Sequence, residues 1–185
     1  GYRIDRVSDE SYPVMDWNPA TGQLAVVTEK RGHLFLYLID PEKPRKKLKI
    51  ELLRLEKVLE IDYAKNGKSI AMSAINKGQS DIYLYSVAGN GQKQLTDDIF
   101  DDRYPSFWND DQIIFSSNRT TDSLFKAKKY LENIPALHFD LFSVGLNKDP
   151  MAQRLTNTPL SDETHAQKFS NNQFTYISDE SGIKN

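Results

Sequence analysis

The sequence predicts an all-β protein: a partial β-propeller of repeated four-stranded antiparallel blades. Three observations carry this. Short strand-like runs alternate with turn residues along most of the chain. Trp17 and Tyr63, and likewise Leu24 and Ile70, stand 46 positions apart, close to the roughly 40–45 residues of a four-stranded blade. Tyr104-Pro105 repeats Tyr12-Pro13 two periods later.

The first repeat takes Pro13–Trp17 as its first strand, Asn18–Gly22 as a turn and Leu24–Thr28 as its second strand. Arg31-Gly32 turns again, and Leu34–Ile39 is the third strand. The segment Lys46–Lys57 carries two patterns. Leu48, Leu52, Leu55 and Leu59 have helical spacing, whereas Leu48, Ile50 and Leu52 alternate as in a strand. The repeat register requires a strand here.

The second repeat is the clearest. Val58–Tyr63, Ser69–Ser73, Asp81–Val87 and Gln94–Thr96 read as four strands, separated by Asn66-Gly67, Asn76–Gly78 and Gly89–Gly91. Asn66-Gly67 predicts a two-residue type I′ turn, because both residues tolerate positive φ. In the third repeat, Asp110-Asp111 is the first turn, Ile113–Ser117 the second strand, Phe139–Val144 the third and Gln153–Thr156 the fourth. Between its second and third strands lies an insertion. Leu124, Ala127, Leu131 and Ile134 form one helical face there, Asp122 or Ser123 can cap it, and Pro135 ends it. A short helix near residues 122–134 is predicted, packed on the rim. A fourth repeat begins at His165, turns at Asn171-Asn172, and runs through Phe174–Ser178.

The expected organisation is one domain over 1–185. Its blades lie at about 12–53, 58–96 and 104–156, with a partial one at 165–185 and an orphan last strand at 2–7. The chain opens Gly1-Tyr2-Arg3 without an initiator Met, and reads as a piece of a longer protein. A partial propeller leaves the sides of its end blades open, so self-association through them is expected. Third strands such as Ile82-Tyr83-Leu84-Tyr85 are apolar or aromatic at every position, as expected of sheets covered on both faces.

Composition narrows the function. The 185 residues are 38% hydrophobic and 27% charged, an ordinary globular balance, and the net charge of −2 offers no basic footprint for nucleic acid. No apolar run approaches the roughly 20 residues that span a bilayer. With no cysteines, disulfides and thiolate chemistry are excluded.

The run Asn66-Gly67-Lys68-Ser69-Ile70-Ala71, then Ser73, Asp81-Ile82-Tyr83 and Leu95-Thr96, resembles the TolB-like β-propeller repeat, one of the WD-like repeats. Phe115–Arg119 and Asp140–Phe142 resemble it too. The turn departs from the family's Pro-Asp-Gly, having Lys65-Asn66 before its Gly. The resemblance implies a non-catalytic protein-interaction scaffold of the bacterial cell envelope, periplasmic or envelope-associated. Similar blades also cap prolyl-oligopeptidase-type serine peptidases, so a substrate-gating propeller of a larger enzyme is the alternative, with a propeller binding a small ligand or glycan as a third reading.

No Gly-x-Ser-x-Gly elbow occurs, and no catalytic residue, cofactor or metal site is assigned. His33, His138 and His165 read as structural or surface residues. Asp97-Asp98, Asp101-Asp102 and Asp110-Asp111 read as solvated loops, and Asp81 and Asp140 as turn formers bonding local backbone. Trp17, Tyr63 and Trp108 or Phe107 read as core. The candidates for partner contact are on blade-end loops: Asp9, Glu10, Tyr12, Tyr104, Asp162, Glu163 and His165. The partner is expected to be a protein.

Overall fold

A computed structural model describes residues 11–121, 136–146 and 152–181. It contains three four-stranded antiparallel sheets and one two-stranded sheet. The first blade comprises β1 (Val14–Trp17), β2 (Leu24–Lys30), β3 (His33–Ile39) and β4 (Leu48–Glu51). The second comprises β5 (Lys57–Tyr63), β6 (Ser69–Asn76), β7 (Gln79–Ser86) and β8 (Gly91–Gln94). The third comprises β9 (Asp102–Asn109), β10 (Gln112–Ser117), β11 (Asp140–Gly145) and β12 (Ala152–Arg154). The pair β13 (Glu163–Lys168) and β14 (Phe174–Ser178) follows. The predicted orphan strand at 2–7 and the predicted helix near 122–134 lie outside the described residues. Among those described, no helix is long and apolar enough to cross a membrane.

The ambiguous segment resolves as a strand. Leu48–Glu51 pairs with β3, placing Leu36 opposite Ile50 and Leu38 opposite Leu48. Helical spacing loses because β3 offers an open edge whose backbone groups need partners.

The turns differ from expectation in one respect. Two-residue turns with two positive φ values do occur, at Arg31-Gly32 (57° and 80°) and Lys77-Gly78 (55° and 77°). Lys30 then faces His33, and Asn76 faces Gln79. The Asn66-Gly67 turn is longer. Ala64 and Ser69 close it, Gly67 N donates to Ala64 O at 2.8 Å, and only Gly67 is left-handed, at φ +69°. Asn66 instead uses its side chain to accept from Lys68 N at 2.8 Å, which fixes the loop without a left-handed asparagine.

Sheets stack face to face through apolar clusters. Ala25, Val27, Leu34, Leu36 and Leu38 of the first blade meet Tyr63, Ile70, Met72, Tyr83 and Tyr85 of the second. Ala71 and Ile82 on the second blade's other face meet Phe107, Ile113, Phe115, Phe142 and Val144 of the third. Ile114 and Leu141 then meet Ala166 and Phe174 of the last pair. Stacking explains the burial of β7, where Ile82 is closed off on one face and Tyr83 and Tyr85 on the other. It also explains β3, where only alternate residues are buried. The outer side of the first blade leaves Met15 and Trp17 more than half exposed, so Trp17 is not the core residue its spacing suggested.

The innermost strands β1, β5, β9 and β13 pack side by side, and side chains lace each to the next. Asp16 Oδ2 accepts from Tyr63 N at 2.7 Å, and Asp62 Oδ2 accepts from Phe107 N at 2.7 Å. At the turns, buried Asn18 donates from Nδ2 to Gly67 O at 3.1 Å, and Asp110 Oδ1 accepts from Asn66 N at 3.2 Å.

Gly67 is held on two counts. Its φ is left-handed, and a Cβ there would lie 2.2 Å from Asn18 Oδ1, whereas Gly78 has the same φ sign and open space around it. Gly78→Ala should therefore cost about 1–2 kcal/mol, the left-handed penalty alone. Gly67→Ala should cost about 1–3 kcal/mol more through the clash. Urea denaturation of the two variants checks the difference; equal losses would contradict the Asn18 contact.

Candidate functional site

Two clusters of functional side chains lie at opposite ends of the inner strands. At the start end, Glu60 of β5 faces Arg103 and Tyr104 of β9. Arg103 Nη2 lies 2.5 Å from Glu60 Oε1, its Nε 3.2 Å from the same oxygen, and Ser73 Oγ also donates to Glu60. The Arg103 guanidinium sits 4.9 Å from the Tyr104 ring centre. Glu60 holds the Arg103 cation, so its pKa rises further despite burial. On the other side Tyr104 stacks against His165 of β13, with ring centres 3.9 Å apart. Both residues have positive φ, 52° and 54°, a conformation uncommon outside glycine and costly enough to need surrounding support.

Two of the sequence candidates thus meet, and a third repeats their place elsewhere. Tyr104 and His165 touch, and Tyr12 holds the equivalent place one blade pair earlier, where its hydroxyl accepts from Val58 N at 3.0 Å. Asp162 is structural: its Oδ1 accepts from Phe139 N at 3.0 Å, and its own N–H donates to Asp179. Glu163 needs correction. It is 1% exposed and cannot meet a partner from the surface; it occupies the inward-facing place that Asp102 holds in β9. Asp9 and Glu10 lie outside the described residues. Sequence spacing did not single out Glu60 or Arg103, because a Glu and an Arg 43 positions apart pair only once the blades are stacked.

The other histidines have carboxylate neighbours. His33 Nδ1 is 2.6 Å from Glu51, and His138 Nδ1 is 3.7 Å from Asp162. Among the described residues, no group of three or more His, Asp or Glu side chains is placed to hold a metal ion.

The acidic run is not a solvated loop throughout. Asp98 and Asp102 are buried around Arg119, itself 1% exposed. Arg119 Nη2 donates to both Asp102 oxygens at 2.9 and 2.8 Å, Nε donates to Ser117, and Nη1 approaches Asp98 at 3.3 Å. The rings of Phe100, Phe115 and Phe142 lie 5.5–5.6 Å from the guanidinium. Asp101 accepts from Gln79 and Ser80.

Asp81 and Asp140 are also not simple turn formers. Buried Asp81 accepts from Gln94 Nε2 at 2.9 Å and lies 3.4 Å from Thr96 Oγ1. Asp140 pairs with Arg154 and accepts from Thr158 N at 2.9 Å. Each clasps its third strand to the chain after the fourth. In both blades a threonine completes the clasp: Thr96 accepts from Ile82 N, and Thr156 accepts from Leu141 N. Burial pushes Asp81 up to about 8, helped by the charges of Asp102, Asp98 and Asp97. Burial likewise lifts Asp98 to about 6, against the pull of Arg119.

At the turn end, a cavity of about 520 Å³ draws its walls from all three blades and the last pair. Pro19, Asp62, Lys65, Trp108, Asp110 and Lys168 are among its lining. Burial pushes Asp62 up to about 7, opposed by its bond from Phe107 N and aided by the charge of Asp16.

With this geometry in hand, the solved structures are informative. TolB from Acinetobacter baumannii superposes with a TM-score of 0.58 over 89% of this chain, at 16% identity. A putative TolB from Agrobacterium tumefaciens does so with a TM-score of 0.65 over 93% of this chain, also at 16% identity. The fold is that of the TolB β-propeller. The chain spans 40% and 55% of the lengths of these two TolB structures. The AtxE2 isopeptidase matches with a TM-score of 0.53 at 13% identity, over 80% of this chain and 29% of the isopeptidase. No family model and no curated protein matches the sequence.

The TolB-like packing places carboxyl groups where they ionise reluctantly, which makes stability depend on pH. Asp62 and Asp81 bind protons more tightly folded than unfolded. The unfolded chain therefore holds fewer protons between about pH 4 and 8, and stability falls as pH rises through that window. Asp81→Asn, which cannot ionise, should melt above the parent chain at pH 8.5 and lose that advantage at pH 4. Thermal melts across pH 4–9 check this; a parent chain that stabilises steadily towards pH 8.5 would contradict it.

Proposed function

We propose that this chain is a non-catalytic, TolB-like propeller module that binds a protein partner in the bacterial cell envelope. The observation that carries the reading is the start-end cluster. There Tyr104, His165, Arg103 and Glu60 bring an aromatic stack and an ion pair from three adjacent blades to one place. Tyrosine and arginine on a rigid frame are the residue types that dominate protein interfaces. The two positive-φ residues add strain of the kind that surrounding structure must over-determine. The TolB likeness supports a scaffold reading and, with it, an envelope location.

A second reading has its own support. The AtxE2 isopeptidase also matches, including a variant with Astexin3-dC4 bound that superposes with a TM-score of 0.55. A propeller of this kind would then gate access to a catalytic domain elsewhere in a larger protein.

A photo-reactive amino acid placed at Tyr104 in the full gene product, expressed in its own host, separates the two. The scaffold reading predicts a discrete cross-linked protein, lost when Arg103 is changed to Ala, and no labelling of the gene product by a fluorophosphonate probe. Fluorophosphonate labelling of the same polypeptide would overturn it in favour of the gating reading.

A further inference from the structure

The turn-end cavity has a chemistry of its own. At about 520 Å³ it lies within the usual range for small-molecule sites. Trp108 and Pro19 give it flat apolar walls. Lys65 and Lys168 stand at its margin, and neither makes an ion pair among the described residues; Lys168 Nζ lies 5.9 Å from the Trp108 ring centre. This sets them apart from Arg103, Arg119 and Arg154, which are all paired with carboxylates. Asp62 contributes one oxygen to the fold, Oδ2, which accepts from Phe107 N. Its Oδ1 has no hydrogen-bond partner among the described residues, and the residue lines the cavity.

We propose that this cavity binds a small carboxylate carrying an aromatic body, with Lys65 and Lys168 holding the anion, Trp108 and Pro19 the body, and Asp62 a hydrogen bond at Oδ1. The site goes beyond the scaffold reading and does not depend on it, since it lies at the opposite end of the inner strands. A carboxylate fits better than an amine, because Asp62, whose Oδ1 is spare, is the acid at the cavity wall that burial keeps protonated up to about pH 7. Protonated, Asp62 donates to a carboxylate; ionised, it repels one. The charges facing it are Asp16 from the first blade, Lys65 from its own turn, Asp110 from the third blade and Lys168 from β13.

The test uses N-acetylphenylalanine as the probe and tryptophan fluorescence as the readout. The chain has two tryptophans, so Trp17→Phe, on the exposed outer face, leaves Trp108 as sole reporter. At pH 6 the probe should bind saturably, and its carboxamide should bind roughly tenfold more weakly or worse, the worth of a charge-assisted hydrogen bond. Lys65→Ala and Lys168→Ala, both at exposed positions, should each weaken binding of the acid. Affinity should drop about tenfold from pH 6 to pH 8 as Asp62 ionises. Asp62→Asn retains an N–H donor and should bind with no such drop. Absence of saturable binding at pH 6, equal binding of acid and amide, or the same pH profile in the parent and Asp62→Asn would each overturn the proposal.

Discussion

Every blade here depends on its neighbour for the burial of one face, and the constraint is enforced at the inner strands by carboxylates that reach across. Asp16 takes the Tyr63 amide and Asp62 takes the Phe107 amide, each at 2.7 Å. An inner strand has only one hydrogen-bonded partner within its own sheet, β2 for β1 and β6 for β5, so its other edge carries orphan amides. A buried amide without a partner costs free energy comparable to a lost hydrogen bond. The preceding blade supplies that partner, which couples the apolar stacking of one pair of sheets to the backbone register of the next. In β9 the place of Asp62 is taken by buried Ser106, so the same carboxylate device does not continue to β13. There the Tyr104–His165 ring contact joins the two strands instead, and Trp108 packs edge-on against Phe174 of β14.

The boundary between the second and third blades is where charge enters the interior. Asp98 and Asp102 converge on Arg119, which lies among three phenylalanine rings, and Asp81 sits near the same carboxylates. Three buried acids against one guanidinium cannot all be charged cheaply, and the geometry decides which stays ionised. Asp102 makes the bidentate contact with Arg119, whereas Asp81 has only Gln94 and Thr96, both neutral. The proton therefore belongs on Asp81. Removing one partner of a buried ion pair usually costs several kcal/mol, so the stack is sensitive to loss of Arg119 or Asp102.

Much of the fold was legible because propeller blades write themselves into the sequence as a period. The 46-residue spacing located strands, turns and the four-strand plan, and even settled Leu48–Glu51 against its helical spacing. What stayed illegible depends on neighbours distant in sequence. Asp98 and Asp102 look like a solvated acidic loop until Arg119 folds between them. Trp17 shares a register position with buried Tyr63, yet no described blade covers its side of the first sheet. Asn66-Gly67 reads as a two-residue turn, but Asn18 and Asp110 of the flanking blades fix a longer one. At the start end, Tyr104 and His165 could be paired from repeat position alone. Glu60 and Arg103 could not, and the recurrence of Asp16 at Asp62 was the one available signal for the clamps, visible only as two acids in register.

The blades hold together through side chains bonded to the next inner strand as well as through apolar stacking. Native-state amide hydrogen exchange tests it directly, because an amide bonded to a neighbouring blade opens only when the blades part. The Tyr63 and Phe107 amides should exchange as slowly as those at the centre of β6, such as Met72. Rapid exchange at Tyr63 and Phe107 beside a protected Met72 would instead mean that the blades are held by apolar contact alone.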